Sequence, residues 1–206
     1  MSAELRRELT KHSGDYVLVG SERERFLGAC KRPLELMVYY CLGRYGLRVS
    51  EFMHMSWNWL DAQEGDIRIP AQTPCDCRKC VTKYNGIWQP KTKAGIRTIP
   101  ARDIDEDGWH IMLDFFADGN RIPKHESTIF RVIKTVAKRA GITHDVYPHS
   151  LRATASMSLS TIPGMTASIL MSIMGWESLE TANNYVKASA VETKRILRAS
   201  KAGVKT

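Results

Sequence analysis

Residues 33–51 constrain the fold most strongly: Pro33-Leu34-Glu35-Leu36-Met37-Val38-Tyr39-Tyr40-Cys41-Leu42-Gly43-Arg44-Tyr45-Gly46-Leu47-Arg48-Val49-Ser50-Glu51. The apolar side chains of Leu34, Met37, Val38, Cys41 and Leu42 recur at i, i+3, i+4, i+7 and i+8, the stripe of a buried helix. Proline fits the first position of that helix. Two glycines then interrupt the pattern, and a second helix is predicted to begin near Val49-Ser50-Glu51.

Downstream of this stretch the pattern changes from helix to strand. Asp66-Ile67-Arg68-Ile69-Pro70, Gly86-Ile87-Trp88-Gln89 and Ile96-Arg97-Thr98-Ile99 each read as a short strand. Lys93-Ala94-Gly95 is predicted to form the turn between the last two. We therefore expect a small three-stranded antiparallel sheet, with residues 71–85 as an insertion between its first two strands.

The remainder is predicted to be helical, with segments at 103–117, 127–140, 150–160, 166–174, 178–187 and 190–200. Gly141 and Gly175 are expected to end helices, and Ser127 to cap one. Ser21-Glu22-Arg23-Glu24 has the pattern of a capping box that starts a short helix. The expected fold class is mainly α with a small three-stranded antiparallel β-sheet.

Composition narrows the class of protein. A chain of 206 residues that is 43% hydrophobic can build one sizeable core. It has no apolar run long enough to span a membrane, and its first eight residues carry charges where a signal peptide is apolar. A cytoplasmic, nucleoid-associated location is expected. Five cysteines, three of them within six residues, do not resemble a secreted disulfide framework.

The positive charge is concentrated in one part of the chain. Residues 1–120 carry 17 Lys and Arg against 17 Asp and Glu, whereas residues 121–206 carry 13 against 5. This asymmetry accounts for the whole net charge of +8 and suggests a polyanionic partner such as nucleic acid. A solvated basic surface would give the same composition.

Several side chains suit phosphoryl transfer, which needs cations on the phosphate oxygens, an aimed nucleophile and a proton for the leaving oxygen. Arginine matches two phosphate oxygens with its planar fork. Four segments carry such groups in chain order, and they are Tyr45-Gly46-Leu47-Arg48-Val49-Ser50-Glu51, Gln89 to Pro100, Pro148-His149-Ser150-Leu151-Arg152, and Met174-Gly175-Trp176 with Tyr185 nine residues later. Each alone has an ordinary structural explanation, so the order and spacing together carry the hypothesis.

Taken together, these four segments resemble the catalytic domain of the tyrosine recombinases, or phage-type integrases, over roughly residues 20–200. The family shows an Arg in a Thr-Gly-Leu-Arg-x-Ser-Glu-like stretch, a Lys in a β-hairpin, His-x-Leu-Arg, and Leu-Gly-His followed about nine residues later by the nucleophilic Tyr. Here Trp176 stands where most members have His; an indole N–H can also donate to a phosphate oxygen.

The resemblance implies a division of the chain into residues 1–20, an N-terminal extension, and residues 21–206, the tyrosine recombinase catalytic domain. Family members usually carry an N-terminal helical domain that clamps DNA. Only about 20 residues precede the catalytic domain here, too few for a domain, so the clamp is expected to be absent from this chain. Either the chain is a fragment, or the enzyme acts without a clamp.

The resemblance also implies a mechanism and its residues. Arg48, Arg152 and Trp176 would bind the non-bridging oxygens of the scissile phosphate, and Tyr185 would attack to give a 3′-phosphotyrosyl enzyme and a free 5′-hydroxyl. Lys91 would protonate the leaving oxygen, with Lys93 the alternative, and His149 would handle the tyrosine proton or support the phosphate. No cofactor or ATP is required. Glu51 is expected to hold Arg48 by an ion pair, and the expected DNA contacts are Lys93 and Arg97.

The leading hypothesis is thus a site-specific recombinase acting on double-stranded DNA, assembled as a homo-oligomer through the helix at 190–200. Alternatives are a non-catalytic DNA-binding protein with the same fold, a type IB topoisomerase-like relaxing enzyme, and a zinc-dependent nuclease. The first alternative does not require the tyrosine, and the second differs in whether strands join new partners. The last is weak, because thiolate zinc sites are usually closed and structural.

Cys75, Cys77 and Cys80 have a spacing at which thiolates converge on one Zn²⁺. Such a structural zinc would staple a loop with little core of its own. The alternative is three reduced thiols in a polar loop. For the fourth ligand, His54, His110 and a residue of a partner remain open. Cys30 and Cys41 fall in apolar helical patterns and are expected in the core.

Overall fold

Helices dominate the computed structural model, which describes residues 17–186. They are α1 (Ser21–Gly28), α2 (Pro33–Val38), α3 (Val49–His54), α4 (Arg78–Tyr84), α5 (Ala101–Ile104), α6 (Glu106–Ala117), α7 (Glu126–Arg139), α8 (Pro148–Ser160), α9 (Ala167–Met174) and α10 (179–186). The predicted mainly-α class is confirmed. The predicted helix at 190–200 lies outside the described residues, as do residues 1–16 of the predicted extension.

Helix boundaries follow most of the expected signals. Pro33 occupies the first turn of α2, and Gly175 ends α9 in the left-handed conformation with φ 64°. Two expectations were wrong. Helix α7 begins at Glu126, so Ser127 lies inside the first turn and His125 holds the cap position. Ser21 does not cap α1; instead the Glu22 carboxylate accepts the Val19 N–H at 3.0 Å.

Helix α2 widens into a π-helix over Tyr39–Arg44, where the Tyr45 N–H donates to the Tyr40 carbonyl at 2.9 Å. Helix α8 packs against this segment. The residues around the contact are fully buried, among them Leu42, Tyr45, Leu47, Phe52, Trp109 and Leu151. The π-helical turn therefore positions the buried segment that leads to Arg48.

The β structure differs from the prediction in its pairing. The three-stranded antiparallel sheet has the order β1 (Leu60–Asp61), β2 (Asp66–Ile69) and β5 (Arg97–Ile99). The predicted strand at 86–89 is β4 (Ile87–Trp88), which pairs with β3 (Thr73–Pro74) in a separate two-stranded sheet. Strand β1 was missed because two residues show no alternation. Residues 73–88 therefore form a lobe closed by its own sheet, which we call the cysteine lobe.

Two further observations complete the architecture. Leu18, before the predicted domain start, is buried, and its N–H donates to Thr154 Oγ1 at 2.9 Å. Arg139 at the end of α7 grips Glu35 of α2 through two hydrogen bonds of 2.8 and 3.1 Å. No helix among residues 17–186 is both long and apolar enough to cross a lipid bilayer.

Candidate active site

A cleft of about 690 Å³ opens between the start of α3, the start of α8 and the chain that follows α9. Its lining residues are Arg48, Val49, Lys91, Glu126, Phe130, Tyr147, Pro148, His149, Arg152 and Trp176. The cleft therefore brings together five of the six predicted catalytic residues. The first of them, Arg48, and the last, Trp176, lie more than 120 positions apart in the sequence. Glu126, Phe130 and Tyr147 were not anticipated, because nothing local in the sequence distinguishes them from ordinary helix and loop residues.

Arg48 precedes α3 and is held by Glu51, as predicted. Its guanidinium donates to Glu51 Oε1 at 2.7 Å, and its backbone N–H donates to Oε2 at 2.8 Å. Glu51 is only 1% exposed. Burial alone would raise its pKa, but hydrogen bonds from Arg97 and the charges of the surrounding arginines hold that pKa below its ordinary value.

Arg152, in the first turns of α8, is buried between two backbone carbonyls. Its guanidinium donates to the carbonyl oxygens of Gly46 and Met174. Burial, and next the nearby Arg48 charge, lower the pKa of this guanidinium to about 9, so it keeps its charge at neutral pH. Burial and the Arg48 charge both favour the neutral form of the Arg152 guanidinium, whereas a bound anion would favour its charged form.

Two glycines make this packing possible. Gly46 and Gly175 both have positive φ, 68° and 64°. A Cβ on Gly46 would lie 2.6 Å from Met174 Cε, and one on Gly175 would lie 2.7 Å from the Ala94 carbonyl oxygen. The carbonyl of Gly175 accepts a hydrogen bond from Arg48. Glycine therefore lets the backbone come close enough to orient both arginines.

Arg97 lies beneath the cleft and not on its surface. It donates to both Glu51 oxygens at 2.9 and 3.0 Å and to the Ile173 carbonyl at 2.7 Å, and its side chain is 4% exposed. This burial argues against the predicted DNA contact. Arg48, Arg97 and Arg152 thus surround a single buried carboxylate, which leaves an excess of positive charge.

Lys91 and Lys93 separate clearly in the structure. Lys91 lines the cleft, whereas exposed Lys93 starts the short 3₁₀ turn Lys93–Gly95. The connection is not the predicted hairpin, because β4 and β5 belong to different sheets. His149 is exposed at the cleft, at the N-terminal end of α8.

Tyr185 lies on α10, near the arginines of the cleft. Its ring stacks on Trp176 with centroids 5.3 Å apart and planes 14° apart. It also lies close enough to Arg152 that an ionised Tyr185 hydroxyl would raise the pKa of that guanidinium. The site therefore combines a hydroxyl nucleophile with cations that can hold an anion.

Comparisons with known proteins identify the family and the fold. Residues 17–192 match the phage integrase family. The chain belongs to that family. Among solved structures it is similar to XerA recombinase, with a TM-score of 0.67, 20% identity, and coverage of 88% of this chain and 65% of that one.

A second similar structure is the Tn1549 transposon integrase in complex with transposon right-end DNA, with a TM-score of 0.62 and 19% identity. The match covers 66% of that integrase chain and 88% of this chain. This integrase-family chain thus spans about two thirds of the solved chains that it resembles. No curated protein matched it.

The cysteines of this integrase-family chain also converge, at the opposite end of α3. Sγ atoms of Cys75, Cys77 and Cys80 and a ring nitrogen of His54 all lie within 4.8 Å of one another. Among the candidates for a fourth ligand, the structure thus brings His54 to the thiols. His110 lies elsewhere on α6, where it is 62% exposed and faces Glu106.

A second and larger groove, of about 1280 Å³, lies beside the cysteine lobe. Its basic lining residues are Arg78, Lys79, Lys83, Arg121 and Lys124. His125 lines this groove, and the next residue, Glu126, lines the first cleft. The two openings therefore adjoin at the start of α7.

Proposed function

We propose that this chain is the catalytic part of a site-specific DNA recombinase that cleaves and rejoins DNA through a 3′-phosphotyrosyl intermediate. One observation carries the proposal: Arg48 and Arg152 converge with excess positive charge on a cleft beside the Tyr185 ring. A scissile phosphate is an anion that two such arginines can bind. Pure DNA binding would not require the hydroxyl nucleophile.

In the proposed reaction the Tyr185 oxygen attacks phosphorus, and the bond from phosphorus to the 5′-oxygen breaks. Lys91, which lines the cleft, gives its proton to that oxygen. Arg48, Arg152 and the Trp176 indole N–H stabilise the charge on the non-bridging oxygens, and His149 accepts the proton that the Tyr185 hydroxyl loses. The phosphotyrosyl ester keeps the energy of the broken bond, so a 5′-hydroxyl reseals the strand without ATP.

The test uses a DNA suicide substrate, nicked so that the short 5′-hydroxyl product diffuses away after cleavage. Covalent protein–DNA adduct, detected on a denaturing gel, should carry the protein on the 3′ end. Tyr147 lines the same cleft and is the competing nucleophile, so the adduct should still form in Tyr147→Phe and be absent from Tyr185→Phe. An adduct on the 5′ end, or through Tyr147, would refute the proposal.

Recombination also differs from relaxation in its products. With two DNA sites of different flanking length, strand exchange produces joined strands of new length, whereas a type IB topoisomerase-like enzyme reseals only the original pair. Relaxation of a supercoiled circle without new joints would support the relaxing function instead.

Assembly on DNA is part of the proposal. The predicted helix at 190–200 lies outside the described residues, but Val191, Ile196 and Leu197 give its sequence a partial apolar face. We expect it to dock on a neighbouring protomer and to couple assembly to activation of Tyr185. Deletion of residues 189–206 should leave a folded chain that binds DNA without strand exchange; exchange at the full rate would contradict this role.

A further inference from the structure

We propose that His54, Cys75, Cys77 and Cys80 form a closed structural zinc site that fastens the 73–88 lobe to helix α3. The inference is independent of the recombinase function and concerns the end of α3 opposite the active site.

The distances from His54 to two of the thiols match one tetrahedral ion. With Zn–S near 2.3 Å and Zn–N near 2.0 Å, a tetrahedral site has sulfur and nitrogen roughly 3.5 Å apart. His54 Nε2 lies 3.6 Å from Cys77 Sγ and 3.5 Å from Cys80 Sγ. Four protein ligands leave no open position, which is the arrangement of structural zinc.

The surroundings orient each donor. His54 Nδ1 lies 2.6 Å from the Ser50 carbonyl, so its N–H donates there and the Nε2 lone pair faces the sulfurs. Backbone N–H groups of Cys77 and Cys80 donate to Cys75 Sγ and Cys77 Sγ, each at 3.4 Å. Lys124 Nζ lies 3.7 Å from Cys75 Sγ, where it can balance the net negative charge of three thiolates and one Zn²⁺.

The lobe has little else to hold it. Val81, Tyr84 and Ile87 are 55%, 48% and 40% exposed, so most of its large apolar side chains contribute no core. Apart from its cysteines, its buried apolar anchor is Trp88, which stacks on His54 with ring centroids 5.2 Å apart. Trp88 is followed three residues later by Lys91. A zinc ion would therefore fix both the end of α3 and the segment that leads to Lys91.

The first measurement is elemental analysis of the full chain, purified in reductant without chelator. We expect about one zinc per chain and no stoichiometric iron or copper. Protein made in cobalt-supplemented minimal medium should show strong thiolate-to-cobalt charge-transfer bands and the intense d–d bands of a tetrahedral site. This measurement needs no variant and so does not depend on whether a mutant folds.

Variants then assign the ligands. Cys80→Ser should lose the metal, and His54→Ala should release zinc to a chelator concentration that the unaltered chain withstands. His110→Ala and Cys30→Ser are the matched controls, since these residues lie outside the cluster, and both should keep one zinc. Hydrogen exchange should accelerate across 73–88 in Cys80→Ser.

Two results would overturn the inference. One is the absence of zinc together with no cobalt spectrum under reducing conditions. The other is unchanged zinc affinity and cobalt bands in His54→Ala, which would remove histidine from the ligand set.

Discussion

The two ends of helix α3 offer a direct comparison. Arg48 and Glu51 at its start belong to a cluster in which three guanidiniums surround one carboxylate. His54 at its other end meets three thiols. The first end gathers cations and favours an anion, whereas the second gathers soft donors and favours a metal cation. The seven residues from Arg48 to His54 thus contribute to two sites that favour ions of opposite charge.

The difference teaches how each site is kept in place. The arginines are fixed by a folded scaffold, namely two positive-φ glycines, the carbonyl at the end of α9 and a carboxylate that is 1% exposed. The thiols lie on a lobe whose two-stranded sheet and seven-residue helix bury few apolar side chains. The active site should therefore persist without a ligand, whereas the lobe should depend on the proposed zinc ion.

The largest expected effect concerns the chemistry of the first end. Tyr185→Phe keeps the ring that stacks on Trp176 and removes only the hydroxyl. Covalent adduct should fall below detection while DNA affinity stays within a factor of about two, since a single hydroxyl contributes little to binding. Electrophoretic mobility shift and denaturing gels measure the two quantities. Tyr84→Phe, on the cysteine lobe, is the control and should cleave normally.

Next in size is the loss of a phosphate-binding arginine. Arg152→Ala should slow single-turnover cleavage about 10²–10³-fold, or ~3–4 kcal/mol, as for other preorganised charge clamps. Arg68→Ala is the control, because Arg68 is 58% exposed and pairs with Asp61 on the sheet. Equal rates in the two variants would show that Arg152 does not meet the phosphate.

Parts of this arrangement were readable from the sequence. Apolar spacing predicted most helices, and the family motifs identified the five catalytic candidates that line one cleft. These signals are local or depend on order, so one chain suffices to find them. The sequence did not predict which strands pair. Strands β3 and β4 have two residues each, and their register depends on contacts across the lobe.

Arg97 shows a signal that could have been used. Alternate residues of a strand point to the same face, and Ile99, two residues later, is fully buried. Period two therefore places Arg97 on the inner face, where it holds Glu51. The prediction of a DNA contact gave weight to charge alone. The choice of His54 over His110, in contrast, required the fold, since His54 lies 21 positions before Cys75, the first cysteine of the cluster.

A third prediction distinguishes the roles of two buried carboxylates. Glu51 serves the active site, and Glu35 joins α2 to α7 through Arg139. The Arg139 hydrogen bonds lower the pKa of Glu35 from 4.5 to about 2, and Glu51 also titrates below its ordinary value. Each therefore stabilises the fold above its unfolded pKa, and that stability is lost as pH falls through its folded pKa.

Glu51→Gln and Glu35→Gln should both reduce the free energy of unfolding at pH 7 and flatten its decline in acid. Only Glu51→Gln should also slow cleavage, by about tenfold or more, because Arg48 would lose its charged partner. Urea titrations between pH 7 and 3, with cleavage rates at pH 7, measure both. A slow Glu35→Gln enzyme would mean that the rate follows general stability.

The smallest expected effect concerns the basic groove beside the lobe. If DNA leaves the active site along this groove, Lys79 and Lys83 contact phosphates, and such contacts release counterions. Replacing either with Ala should weaken binding similarly for every DNA sequence and reduce the slope of log affinity against log salt by about one. Cleavage at saturating DNA should not change.

Lys138→Ala is the matched control, because this exposed lysine lies at the end of α7 away from both grooves and should leave the slope unaltered. An unchanged slope in the Lys79 and Lys83 variants would mean that DNA leaves by another face, and the lobe would then have only a structural role.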